Sequence, residues 1–192
     1  MYVNTPYGIS LAHNGNLTNS KKLAAELFHA ERRHINTDSD SEVLLNIFAL
    51  ELSKQEAVFP KPKDFFSAVE KTHLRINGAY AVVALITGYG ILAFRDPLGI
   101  RPLSIGIRKG KNRNEYVVSS ETALFSSTGF KFLRDVEPGE AVFIDNAGKI
   151  FTQQCSTSSQ KRPCIFEYVY LARPDSTICL LYTSDAADDV EC

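Results

Sequence analysis

His13-Asn14-Gly15-Asn16 sets a side-chain amide beside a glycine, after the apolar Ile9 and Leu11 and before a stripe of Leu23, Ala24, Leu27 and Phe28. Asn-Gly between apolar runs is a strong hairpin signal, yet the apolar residues beyond Gly15 recur with a helical period instead of alternating. On spacing alone two readings stand. The first is a structural turn in which Asn and Gly accept positive φ. In the second, the Asn14 amide and the Gly15 N–H, both left free at a strand end, converge on one oxygen as an oxyanion hole. Glycine suits that second place because no Cβ blocks the approach. His13 reads as a hydrogen-bonded strand-end residue rather than a base.

Thr37-Asp38-Ser39-Asp40-Ser41-Glu42 forms a second cluster. Such residues belong at a helix start, where they satisfy free N–H groups and favour the dipole. Ser39 with Glu42 three residues later has the capping-box pattern. Two aspartates and a glutamate exceed what one cap requires, and an aspartate held there can instead grip a ligand ammonium by a charge-assisted bond. The third cluster, Arg95, Asp96 and Arg101 in "FRDPLGIRP", reads as the structural bracing of a tight turn. The sequence has no phosphate-loop pattern, no nucleophile elbow, no paired-carboxylate arrangement and no metal-ligand spacing.

These groups need a scaffold. A strand is expected over residues 8–13, then helices over 19–33, from the Ser39 cap to the prolines of 59–63, and over 64–76. Thr18 or Asn19 would cap the first of them. From Gly78 the texture becomes β, with strands expected near 79–87, 90–95, 101–108, 115–120, 140–145 and 149–154. A short helix within 119–130, capped by Ser119 or Ser120, interrupts them. Helices first and antiparallel hairpins afterwards indicate an α+β domain. The polar stretch 156–163 is the best linker. The final "CLLYTSDAADDVEC", 179–192, has neither period nor turn signals.

With 192 residues the chain can bury a real core, and 44% apolar with 22% charged residues is ordinary for a globular protein. Twenty-one basic and 22 acidic residues give a net charge of −1 with no charged block, so nothing points to nucleic acid or a membrane surface. The longest clean apolar run, 79–86, is too short to span a bilayer. All four cysteines come after residue 154 without C-x-x-C spacing, which indicates a reducing, cytoplasmic setting.

Together these motifs resemble the class II glutamine amidotransferases, a family of N-terminal-nucleophile hydrolases. "YGISLAHNGNLTN", "RRHINTDSDSEVLLNIFA", "GAYAVVALI", "AFRDPLGIRPL" and "FLRDVEPGEAVFI" carry the resemblance from Tyr2 to about Ile178. "PCIFEYVYLARPDS" is the most specific, and resembles the junction into a phosphoribosyltransferase domain. The resemblance implies an αββα sandwich, incomplete because its first strands are missing. It implies a glutaminase domain over 1–155, a linker and transferase start over 156–178, and a non-native tail over 179–192 that is similar to translated adapter sequence. Asn14 and Gly15 would form the oxyanion hole and Asp40 would hold the glutamine α-amino group, with Ser39 a weaker contributor.

Enzymes of this family attack glutamine with the thiolate of an N-terminal cysteine, and the junction implies a member that passes the ammonia to phosphoribosyl pyrophosphate, giving 5-phosphoribosylamine, the first committed step of purine synthesis. This chain starts at Met1 and none of its cysteines can take that role, so residues 1–192 are expected to be an inactive fragment of a homo-oligomeric parent. Cys164 is kept as structural. No cofactor is expected within the fragment, and magnesium is expected with phosphoribosyl pyrophosphate in the missing domain. Two alternatives are the glutaminase domain of another class II member and a non-catalytic regulatory domain of the same fold.

Overall fold

The computed structural model describes residues 1–55, 57–157, 161–162, 164–167, 176–178 and 181–182. Its centre is an antiparallel six-stranded sheet in the order β1-β2-β3-β4-β8-β9, where β1 is Tyr2–Val3, β2 Ile9–Leu17, β3 Gly78–Ile86, β4 Gly90–Arg95, β8 Glu140–Asp145 and β9 Ile150–Gln154. A second antiparallel sheet has the order β6-β5-β7, with β5 Ser104–Lys109, β6 Asn114–Ser119 and β7 Lys131–Asp135.

Period-two alternation gives the large sheet two apolar faces. Ile9, Leu11, Tyr80, Val82, Ala84, Leu92, Phe94 and Phe143 point to the helices α1 (Ser20–His29), α2 (Asp40–Ser53) and α3 (Pro62–Arg75). Ala81, Ala93, Val142 and Ile144 point the other way, onto Leu103, Ile105 and Val136 of the second sheet and its flanking loops. On the far side of β5, Phe125 of the short helix α4 (Ala123–Ser127) lies against Gly106. The layers therefore run α, β, β, α, as the expected fold class requires. Helix α2 is the centre of the larger core, buried at every position from Glu42 to Leu52. A helix buried on all sides needs no polar face, and "VLLNIFALEL" has little of one.

Several expectations are corrected. The strand expected over 8–13 does not stop at His13; β2 runs through Asn14 and Gly15 to Leu17, in register with β3 from Ile9↔Ile86 to Leu17↔Gly78. No turn forms at Asn-Gly. Helix α1 ends at His29 rather than 33, and Asn19 does not cap it: its amide donates to Arg75 O at 2.9 Å and its oxygen accepts Asn77 N–H at 3.0 Å, tying α1 to the α3–β3 connection. Ser39 stands at the N-cap of α2 without a side-chain cap bond, so the capping box does not form. Helix α4 begins after Thr122, not after Ser119 or Ser120. β1 and β7 were not expected. Most of 156–178 and 179–192 lies outside the described residues, except that Thr177–Ile178 (β10) and Leu181–Tyr182 (β11) pair antiparallel. Among the described residues, no helix is long and apolar enough to cross a membrane.

Candidate active site

Hydrogen-bond parity along β2 decides where its N–H groups point. Thr87 N–H donates to Gly8 O and Thr18 N–H to Asn77 O, so the even-numbered residues of β2 face β3 in the ladder. The odd-numbered N–H groups point to the opposite edge. There Leu11 N–H reaches Met1 O and Leu17 N–H reaches Asp40 Oδ2 at 2.9 Å. β1 pairs only at Tyr2↔Ser10 and Val3↔Ile9, so from Ala12 onward no described strand covers that edge. The Gly15 N–H opens onto it. A Cβ at Gly15 would meet Ala79 O at 2.0 Å and Tyr80 Cα at 2.8 Å, and φ is +151°, so the close approach of β3 requires glycine here.

The Asn14 side chain projects from the next position on the face toward the second sheet. Its Oδ1 accepts a hydrogen bond from Arg101 Nη2. A guanidinium is a donor only, so this contact assigns the oxygen and leaves the Nδ2 hydrogens as the free end of the amide. Arg101 in turn forms an ion pair through Nη1 with Glu167, which is buried. The loop between β4 and β5 holds Arg101 in place. Buried Asp96 accepts N–H bonds from Leu98 at 3.0 Å, Ile100 at 3.1 Å and Arg101 at 3.2 Å. Buried Arg95 donates to the carbonyls of Arg101, Gly99 and Val136 at 2.6–2.8 Å. The structural reading of Arg95 and Asp96 therefore holds, while Arg101 leaves the brace and reaches Asn14.

On the helical face, His13 Nδ1 lies 3.1 Å from Ser41 Oγ and 3.7 Å from Asp40 Oδ1. Its Nε2 is buried without a hydrogen-bond partner among the described residues. Burial lowers its pKa, and Arg101 lowers it further against the opposing pull of Asp40, so the ring is neutral near pH 7. Asp40 opens α2, where a negative charge is favoured. Its carboxylate bridges to β2 through Leu17 N–H, so Asp40, Asn14 and Gly15 share one end of the sheet. Ser39 is half-buried and its N–H donates to Thr37 Oγ1 at 3.2 Å.

Glu42 does not support Ser39. It turns back to accept four hydrogen bonds from the N–H and side chains of Asn36 and Thr37, at 2.6–3.0 Å. Burial alone would raise its carboxyl, but the Thr37 hydroxyl and the Asn36 and Thr37 donors outweigh that and hold it at about 2. A cleft of about 440 Å³ beside this segment is lined by Ser20, Lys21, Ala24, Thr37, Asp38 and Val43, and takes in neither Asn14 nor Asp40. Burial pushes the Cys155 thiol up to about 12, which suits a packing residue and not a nucleophile.

Sequence reasoning singled out Asn14, Gly15 and Asp40, and the fold sets all three near one end of β2, Asp40 through the bond it accepts from Leu17 N–H. It missed the Arg101–Glu167 pair. The one available signal was that "FRDPLGIR" has two arginines for a single aspartate, leaving one guanidinium to find a partner elsewhere.

The family described as "Glutamine amidotransferase domain" matches residues 1–127. The chain is 56% identical over 178 residues to an amidophosphoribosyltransferase of Escherichia coli K12, and 54% identical over 177 residues to one of Pasteurella multocida. In both cases the match covers 92% of this chain and 35% of the relative. Among solved structures, glutamine phosphoribosylpyrophosphate amidotransferase from B. subtilis, complexed with ADP and GMP, superposes with a TM-score of 0.77 at 32% identity, covering 95% of this chain and 37% of that one. The chain thus spans about a third of the length of the curated relatives it matches. The family match spans about two thirds of the 192 residues, and the chain belongs to the glutamine amidotransferase domain family.

Proposed function

We propose that residues 1–155 belong to the glutaminase domain of an amidophosphoribosyltransferase, with 156–178 a linker and the start of the phosphoribosyltransferase domain and 179–192 a non-native tail. The observation that carries this is the adjacency of two donors in β2: the Asn14 amide, whose oxygen Arg101 holds, and the Gly15 N–H, which points to the edge that no described strand covers. A thiolate attacking the glutamine carboxamide drives negative charge onto the carbonyl oxygen, and preorganised donors stabilise that charge more in the transition state than in the ground state. Asp40, fixed by Leu17 N–H, takes the α-ammonium of glutamine, with Ser39 contributing more weakly. The thiolate belongs to an N-terminal cysteine of the complete enzyme, and collapse of the intermediate gives a thioester and ammonia.

The ammonia then displaces pyrophosphate from phosphoribosyl pyrophosphate in a transferase domain, where magnesium accompanies that substrate. No metal is assigned to residues 1–192. A cytoplasmic parent completes the reading, supported by cysteines that show no disulfide or metal spacing, and that parent is read as a homo-oligomer.

The test is glutamine hydrolysis by the product of the full reading frame that contains this chain. Asn14→Ala should lower kcat by roughly 100- to 1,000-fold, the typical effect of losing one oxyanion donor. Asp40→Asn should act mainly on KM. The polypeptide of residues 1–192 alone should release no ammonia above a blank, since burial holds the Cys155 thiol up at about 12. A full-length protein without glutamine hydrolysis, or an Asn14→Ala variant as fast as wild type, would refute the assignment.

A further inference from the structure

We infer that Arg101 is a positioning residue for the Asn14 amide and that Glu167 holds it in that role, an inference that rests on the oxyanion reading of Asn14. Three observations carry it. First, an asparagine amide can flip, and only one orientation presents hydrogens to an oxyanion. Arg101 Nη2, which cannot accept, sits on Oδ1 and excludes the other. Second, a cation donating to a carboxamide oxygen draws charge from the nitrogen end. The Nδ2 hydrogens then become better donors when negative charge develops beyond them. Third, Arg101 is itself over-determined. Its side chain is only 19% exposed, its N–H is fixed by Asp96, and Glu167, at 5% side-chain exposure, pairs with its other terminal nitrogen. The Nε is buried with no hydrogen-bond partner among the described residues, so these two acceptors define where the guanidinium sits.

The geometry also places the far end of this relay outside the glutaminase core. Glu167 lies in the short segment 164–167, after the chain has left β9, while Asn14 lies in β2. A buried carboxylate without its partner is costly, so the seating of segment 164–167 and the seating of Arg101 are one event. A segment C-terminal to the domain thereby sets the orientation of the amide within it.

The test is a mutant cycle in the full-length protein, read as kcat and KM for glutamine hydrolysis. Because the oxyanion exists only in the transition state, Arg101→Gln should lower kcat by roughly 10- to 100-fold and leave KM within about 3-fold. Arg101→Lys, which keeps a cationic donor, should recover part of that loss, and Glu167→Gln should fall between wild type and Arg101→Gln. If Arg101 acts through Asn14, the Asn14→Ala/Arg101→Gln double variant should be no slower than Asn14→Ala alone. A kcat for Arg101→Gln within about 2-fold of wild type, or a double variant whose loss is the product of the two single losses, would overturn the inference.

Should Arg101→Gln fail to fold, the same cycle run with Arg101→Lys and Glu167→Gln decides the matter by the same criterion. Absence of hydrolysis in the wild-type protein would instead overturn the glutaminase reading. In that case the Asn14 side-chain 15N resonances of residues 1–192 decide on Arg101: they should shift in Arg101→Gln, and unmoved resonances would refute the contact.

Discussion

Replacing Gly15 by alanine isolates the steric condition on which the strand through the site depends. The new Cβ would stand 2.0 Å from Ala79 O, a backbone atom that no rotamer change can move. Restoring even a 3.0 Å contact requires the two strands to part by 1.0 Å (3.0 less 2.0), and a 2.9 Å hydrogen bond stretched that far is lost. The ladder pairs on either side, Asn14↔Ala81 and Asn16↔Ala79, are the ones at risk. Losing two to four such bonds costs about 2–4 kcal/mol at roughly 1 kcal/mol each. The positive φ adds about 1–3 kcal/mol for a residue with a side chain. The expected loss is therefore about 3–7 kcal/mol, a large share of the roughly 5–15 kcal/mol available to a domain.

Gly88 provides the control. It too has a positive φ, +83°, but a Cβ there meets nothing within 4 Å, so Gly88→Ala should cost only the conformational part, about 1–3 kcal/mol. Urea unfolding of both variants, followed by circular dichroism, measures the difference. If Gly15→Ala and Gly88→Ala fall within about 1 kcal/mol of each other, the argument from strand approach is wrong.

Glu42 is held at about 2 in the folded chain against an ordinary 4.5, so its contribution is complete above pH 4.5 and is lost as pH falls from there toward 2. Glu42→Gln should flatten that part of the stability–pH curve and cost about 1.5–3 kcal/mol at pH 7, because uncharged acceptors replace charge-assisted ones. His73, half-buried with its Nδ1 2.7 Å from the Tyr80 hydroxyl, is lowered to about 4 by desolvation of the ring. It is neutral in the folded protein, so its contribution is complete above pH 6.5 and fades as pH falls from 6.5 to about 4; an NMR titration of its ring with a midpoint near 6.5 would contradict this. Arg95→Met should lose at least about 3 kcal/mol by leaving three buried carbonyls without their donor, and a thermal midpoint equal to wild type would show that the β4–β5 loop is braced in some other way.

The β-rich half was readable because Gly-containing turns separate runs of the right length, and β3, β4, β8 and β9 lie within a residue or two of where the pattern puts them. β7 was not, since the first three residues of Lys131–Asp135 are all exposed and give no alternation. The break expected at Asn14-Gly15 failed for a tertiary reason: the glycine serves the approach of Ala79 O, and a close approach carries the same local signature as a turn. The capping box at Ser39 failed because Glu42 finds four donors in Asn36 and Thr37, a better offer than one N–H. In the candidate site, residue type and spacing alone left Asn14 and Gly15 between a turn and an oxyanion hole, and Asp40 between a helix cap and an ammonium grip. The Arg101 contact was not legible, because it spans 87 positions of chain and Arg101 looks locally like a member of the Arg95–Asp96 brace.

Helix α2 carries Asp40 at its first residue, and every residue from Glu42 to Leu52 is enclosed by the core that also holds β2. Close-packed interiors resist compression and sliding. Asp40 and the Asn14–Gly15 pair are thus two marks on one solid ruler, and neither can be adjusted toward the other without reopening the core. On the proposed reading, an amino acid held between them would be accepted or refused on its own length, without any closing motion of the two marks. Any adjustment would then fall to parts that lie off the ruler, such as the segment that reaches Asn14 through Glu167 and Arg101.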